Sequence, residues 1–485
     1  MQSRRDQVHS YQFFMHRVIS GLVARESDPA ELPFRRLGGA ALGSVMIAVL
    51  LLAGFGIYGL VVGGGATSWR TGDRIVMAKE SGTRYVYYEE RLHPVVNFAS
   101  ARLVLQRPAD ITAVTAASLL GVPRGRSLGI PGAPDGLPDG KRLLARDWAL
   151  CSELVADGRG GLVAASVLGV GVTPPGGVGL GVDRAVLVRD TGTEGSGFHM
   201  VWRGHRFAIA DPDPVLLAMG VDSGVAWPVA PVWLDGLPVG TALAVPRVTD
   251  RGVTTVAFGQ LRGPAPARTG QVIAGPSGAF YLVGHDALRP ITPVQKDIVL
   301  ADPATAAAYP DGDPRVVPVS TGQLATANVG ESPGRAPTNP PERWPDIVPP
   351  ASAEGGEGAV CASFASGAAG ASTVLVGARL PDTGAVATPQ RTEEGGLLAD
   401  RVLVAPGWGA LVEAAASPEA PGGSLHLVTD EGIRYAVPSA EVAGMLGYDM
   451  GSVVRLPAAL LDRLPAGPAL DPAAARRPLP PNGLG

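Results

Sequence analysis

The chain is poor in cysteine, in charge and in aromatic residues. Two cysteines among 485 residues, Cys151 and Cys361, exclude a disulfide-dense scaffold and a cysteine-based zinc ribbon, and leave room for one bridge. Charged residues make up 17% and aromatics 5%, and a net charge of −4 with a pI near 6.0 lacks the basic footprint of a nucleic-acid binder. Catalytic motifs are missing as well. Gly136 to Arg142 (GLPDGKR) is the nearest approach to a phosphate-binding loop, but its spacing is wrong and Arg142 stands where a magnesium-binding Ser or Thr belongs. The seven histidines, His9, His16, His93, His199, His205, His285 and His426, show no metal-ligand spacing. Nor is there a G-x-S-x-G elbow. No catalytic residue, cofactor site, metal site or nucleic-acid partner is expected.

Glycine and proline are abundant instead. Gly 66 and Pro 45 are about twice the average share, which favours short strands and turns over long helices. The length exceeds one ordinary core and predicts several domains or repeated units. Mean hydropathy is high at +0.19, and one segment explains much of it. No charge occurs between Leu37 and Trp69, and Ala41 to Val62 reads ALGSVMIAVLLLAGFGIYGLVV. That run exceeds the roughly 20 apolar residues that span a bilayer, and too much chain precedes it for a signal peptide. Arg4, Arg5, Arg17, Arg25, Arg35 and Arg36 come before it, which places the N-terminus in the cytoplasm and the bulk of the chain outside.

Ahead of the span, Val8, Tyr11, Met15, Val18 and Leu22 recur at three- and four-residue steps, with Phe14 beside them. The pattern predicts an amphipathic helix. A helix lying on the membrane surface fits it; a protein-docking helix fits its bulky aromatics and its lack of a basic face better.

Beyond the span the chain repeats itself four times. Ile75 to Val86, His199 to Ile209, Val272 to Val283 and Leu425 to Val437 each pair an alternating strand with an aromatic one across a turn glycine: Gly82, Gly204, Gly278 or Gly432. Such turns call for positive φ. The aromatics three residues on, Tyr85, Phe207, Tyr281 and Tyr435, are expected to face the core. An L-P-x-G turn follows three of the hairpins, at Leu137 to Gly140, Leu237 to Gly240 and Leu464 to Gly467. The third unit reads as having lost it. Copies one and three are long and share Leu92-His93-Pro94 and Leu288-Arg289-Pro290. Copies two and four are short, and each follows a similar strand, Asp183 to Val188 or Asp400 to Val404.

Cys151 and Cys361 sit in similar company between the long and short copies of each half. The simplest account is a duplication about a pseudo-two-fold axis with the cysteines as mates. A bridge between them is the expectation in an external domain, and two buried free thiols are the other reading. The expected divisions are a docking segment (1–36), a span (37–65), a first half (66–245), a second half (246–472) with a Pro/Gly-rich linker or loop (330–358), and a disordered tail (473–485). The class is α+β: a helix, a span, and an elongated external domain of hairpin and short-helix repeats around a central β region.

Together these residues resemble the EccB family of type VII (ESX) secretion systems. The resemblance rests on Gln7, Val8, Tyr11, Phe14 and Arg17 within QVHSYQFFMHR, the span after Arg35-Arg36, the four repeats, and Trp148-x-x-Cys151 with Cys361. His16 departs from the basic residue common there. Arginine in place of nearly all lysine (only Lys79, Lys141 and Lys296) suits an actinobacterial source. The resemblance implies a membrane scaffold for export of WXG100-type proteins. Its implied partners are EccC, EccD and EccE-like subunits, a mycosin-type protease and other copies of itself. It carries two alternatives: an ATP-hydrolysing component, with ATP then the one ligand, and a cell-envelope-binding module.

Overall fold

Frequent proline and glycine cut the chain into short elements, and four stretches of it build one topology. The computed structural model describes residues 4–25, 33–62, 68–192, 197–257, 266–331, 339–350, 358–366, 373–381, 384–416 and 420–480. Contacts divide the chain into two compact units, 1–92 with 110–124, and 93–109 with 125–485.

Helix α1 runs Arg4–Ala24 and α2 runs Pro33–Val62. Pro33 opens α2, where a missing N–H costs no hydrogen bond. Gly39–Ile57 within it has a mean hydropathy of 2.4, and its 19 residues rise about 28 Å, enough to cross a hydrocarbon core. Leu42, Ile47, Leu50, Leu52 and Phe55 are exposed along it, as lipid-facing side chains would be.

In the first copy β1 (Ile75–Ala78), β2 (Arg84–Tyr88) and β3 (Arg91–Pro94) form a meander. Helix α3 (Phe98–Leu105) follows, and β4 (Ile111–Val114) returns parallel to β1. A parallel neighbour needs such a crossover. The chain then enters a central region through β5 (Trp148–Ala156), β6 (Leu162–Gly169) and β7 (Gly176–Gly179). The second copy repeats the plan with β8 (Arg184–Asp190), β9 (Phe198–Trp202), β10 (His205–Ala208), α4 (Pro212–Met219) and β11 (Trp227–Val229), then a short helix α5 (Pro231–Asp235). The third uses β12 (Val272–Ala274), β13 (Phe280–Val283), β14 (Leu288–Ile291), α6 (Pro293–Ala301), β15 (Val316–Pro318) and α7 (Thr321–Ala325). Capping boxes start both its helices, Thr292 with Gln295 and Ser320 with Gln323.

After β16 (Asp346–Ile347), the chain adds β17 (Ala359–Phe364), β18 (Thr373–Ala378), β19 (Ala385–Ala387) and β20 (Arg401–Leu403) to the centre. The fourth copy is β21 (Ala410–Ala415), β22 (Ser424–Val428), β23 (Arg434–Val437), α8 (Ala440–Met445), β24 (Val453–Pro457) and α9 (Ala458–Leu461). Helix α10 (Pro472–Ala475) ends the described elements.

Every copy closes with the same backbone bond. The N–H of Leu92, Arg206, Leu288 or Arg434 on the third strand donates to the carbonyl of Pro123, Pro238, Asn328 or Pro465 at 2.8–2.9 Å. Three expectations are corrected by this register. The first copy's turn is Val122-Pro123-Arg124-Gly125, while Leu137 to Gly140 lies beyond it and is held by the fourth copy, with the Tyr448 hydroxyl donating to the Pro138 carbonyl at 3.0 Å. The third copy has not lost its turn; Asn328-Val329-Gly330 fills the place without a proline. The four glycine hairpins all take positive φ (70°, 73°, 82° and 73°), but they are not equivalent. Gly82 and Gly278 join strands one and two of their sheets, whereas Gly204 and Gly432 join strands two and three.

The central sheet has the order β19-β20-β6-β5-β17-β18-β7. β5 and β17 pair antiparallel at its middle, with Cys151 opposite Cys361. β7 of the first half lies on β18 of the second, and β20 of the second lies on β6 of the first. Asp400 to Val404 is therefore not the mate of Asp183 to Val188. The strand matching β8 is β21, and β20 was captured by the central sheet. Helix pairing respects the two-fold relation: α4 packs on α6, and α3 packs on α8 and α10.

Two further segments are more ordered than composition implies. Within 330–358, β16 pairs with β8, and the Trp344 indole N–H donates to Asp297 at 3.2 Å, so 339–350 straps the second and third copies. In the tail, α10 packs on α3, Arg476 donates to the Val104 carbonyl, and the Leu479 N–H donates to Ser127 at 2.9 Å. Residues 472–480 are thus held by packing and backbone bonds, and 481–485 lie outside the described residues.

Candidate functional site: bridged centre and exposed helix

The central strands alternate, so one face of β5 and β17 carries bulk and the other carries the cysteines. Trp148, Leu150, Val360, Ala362 and Phe364 join the largest core cluster with Trp233 and Leu464 of the short copies. On the opposite face Cys151 and Cys361 are fully buried among Ala149, Ala359 and Ala378. They form a disulfide with Cα atoms 4.0 Å apart and 210 residues between them in sequence. Leu375 and Leu380, both partly buried, pack against this cluster.

Polar side chains tie this centre to what surrounds it. Ser152 Oγ accepts from the Ala230 N–H at 2.9 Å, anchoring the start of α5. Asp400 Oδ2 accepts from the Ser166 N–H and hydroxyl at 2.7 and 2.6 Å, clamping β20 to β6. Arg401 of β20 reaches past β6 to pair with Glu153 of β5. A Cβ at Gly236 would overlap the Leu150 side chain, so glycine lets α5 approach β5 without displacing it.

Sequence reasoning missed a second use of glycine. In three copies the glycine after the proline turn lies under a ring from the third strand: Gly125 under His93, Gly240 under Phe207, Gly467 under Tyr435. A methyl group at any of these would overlap the ring. The recurring P-x-G was the available signal. Tyr85, Phe207 and Tyr435 are buried, while Tyr281 is only half-buried.

On α1, Gln7, Tyr11 and Phe14 fall on one face, with Val8 and Arg17 flanking it. Val8, Tyr11 and Phe14 are 54%, 67% and 64% exposed, and Phe13 and Leu22 are exposed as well. These exposed side chains make an apolar surface along α1. Among the described residues no three His, Cys, Asp or Glu side chains gather in a way that could hold a metal ion.

A membrane-anchored repeat protein is the class this build defines: among the described residues, one helix fit to span a bilayer, an exposed helix before it in the chain, and a duplicated, bridged domain after it. The chain belongs to the family described as "Type VII secretion system ESX-1, transport TM domain B", EccB, whose model matches residues 1–479. It is 30% identical over 488 aligned positions to the ESX-3 secretion system ATPase EccB3 of Mycolicibacterium smegmatis, covering 96% of this chain and 89% of that protein. The Mycobacterium tuberculosis protein of that name is 31% identical over 473 positions, covering 91% and 82%. Among solved structures, a chain of the intact ESX-5 inner membrane complex matches with a TM-score of 0.60 and 26% identity, over 100% of this chain and 97% of that one. The EccB3 dimer of the ESX-3 core complex matches at 0.59 and 28%, over 83% and 100%.

Proposed function

We propose that this protein is a structural scaffold of a type VII secretion translocon and takes part in export of WXG100-type proteins. The observation that carries the reading is the exposed apolar face of α1, which precedes the span in the chain, together with the domain that follows the span and is locked about a central bridge. Such a build offers one binding surface on each side of a membrane. The arginines ahead of the span put α1 in the cytoplasm. There it docks against the motor and membrane subunits of the complex, EccC, EccD and EccE-like proteins, through Gln7, Val8, Tyr11, Phe14 and Arg17. The repeat domain then projects outward, toward other copies and a mycosin-type protease. Complementation of a deletion strain with Tyr11→Ala/Phe14→Ala tests this. Export of WXG100 proteins should fall at least about tenfold while the chain still accumulates in the membrane, since aromatic anchors dominate such interfaces. Unchanged export would break the reading.

The name carried by the relatives favours a second reading, ATP hydrolysis. Hydrolysis by the purified chain, free of any motor subunit and abolished by one acidic substitution, would establish it. Retention of the external domain on isolated envelope would support the cell-envelope alternative in the same way.

A further inference from the structure

The two short copies share a polar arrangement that the long copies lack, built twice from separate stretches of chain. His199 lies on β9 between Val188 and Ala208, and His426 lies on β22 between Val412 and Ala436. The third strand beside each ring carries an arginine paired to an aspartate from the segment ahead of the turn. Arg206 Nη1 meets Asp235 Oδ1 at 2.8 Å, and Arg434 Nη2 meets Asp462 Oδ1 at 3.0 Å. Nδ1 of both histidines is buried without a hydrogen-bond partner among the described residues. Nε2 of His426 faces the Ser424 hydroxyl at 2.9 Å.

The same arginines hold the proline turns by their backbone. The Arg206 N–H donates to Pro238 and its carbonyl accepts from Gly240, and Arg434 does the same with Pro465 and Gly467. The charged groups facing His199 are Arg206, Asp190 and Asp235; those facing His426 are Arg434 and Asp462. Arg463 of the fourth copy also reaches Asp235, at 4.0 Å. In the long copies, the arginine's place is taken by the buried Leu92 and Leu288.

The geometry points to a matched pair of acid-responsive latches: a proton taken up at His199 and His426 sets a second cation beside Arg206 and Arg434, competes for Asp235 and Asp462, and loosens the turns those arginines hold. Burial, and then the neighbouring arginine, keeps both rings titrating below the ordinary histidine value. The unfolded chain therefore binds these protons first. Their contribution to stability is complete above about pH 6.5 and is lost as pH falls through the folded values.

Hydrogen exchange on the full-length protein in detergent micelles, at pH 7.5 and 5.0 and corrected for intrinsic rates, tests the latch. Peptides over 234–241 and 461–468 should exchange several-fold faster at pH 5.0. The peptide over 326–331 should keep its protection. In the His199→Gln/His426→Gln variant the acid response should vanish. Equal loss in all turns, or an unchanged response in the variant, overturns the proposal. Should the variant fail to fold, ring titration of the wild-type histidines by NMR decides: midpoints below the ordinary value support the latch, and midpoints at or above it refute it.

Discussion

The long copies and the short copies reach one topology by different side-chain solutions. Both close the third strand onto a turn with the same backbone bond. At the bonded position the long copies bury a leucine, Leu92 or Leu288, and the short copies use an arginine whose charge meets an aspartate. One residue on, the first, second and fourth copies place His93, Phe207 or Tyr435 over the turn glycine, and only the third has an exposed residue there, Arg289. The backbone connection is the constant element, and what packs against it varies with the half-repeat's neighbours.

Substitutions at matching positions break or sharpen this comparison. Leu288→Ala should cost the most, about 2–5 kcal/mol in denaturant unfolding, because a fully buried leucine leaves a cavity. A loss under about 1 kcal/mol would mean that the long copies do not rest on their leucine. Next, Gly467→Ala should cost about 1–3 kcal/mol by overpacking Tyr435. Gly330→Ala, whose added methyl would meet only the Leu288 carbonyl at 3.5 Å, should stay within about 0.5 kcal/mol. Equal effects at the two glycines would erase the distinction. The smallest effect is expected from a double-mutant cycle on Arg434 and Asp462. Asp462 is half exposed, so a coupling of about 0.2–1 kcal/mol is expected, weakening with salt.

Much of this was legible in the residues. The span and the helix before it are written in local periodicity, and the four-fold repetition and paired cysteines in recurring short motifs. The class of fold and the family followed from those. What escaped was partner choice between strands. A glycine followed by an aromatic marks a hairpin equally well whichever two strands it joins, so Gly82 and Gly204 looked alike while occupying different junctions. The runs at Asp183 and Asp400 have the same β-branched character, and nothing local says that one stays in a repeat sheet while the other joins the centre. Asn328 hid the third turn because the bond it accepts uses the backbone, for which proline is dispensable. The Pro-rich strap at 339–350 and the tail at 472–480 read as loose from composition; long-range packing on α4, α6 and α3 orders them.

The strand exchange at the centre sets a timetable. β6 cannot gain β20, nor β5 its partner β17, until more than two hundred further residues exist. Cys151 waits 210 residues for Cys361, roughly 10–40 s at ordinary synthesis rates of about 5–20 residues per second. During that interval the first half carries an unpaired sheet edge and a lone thiol. Both are open to strangers until the second half of the same chain arrives to cover them.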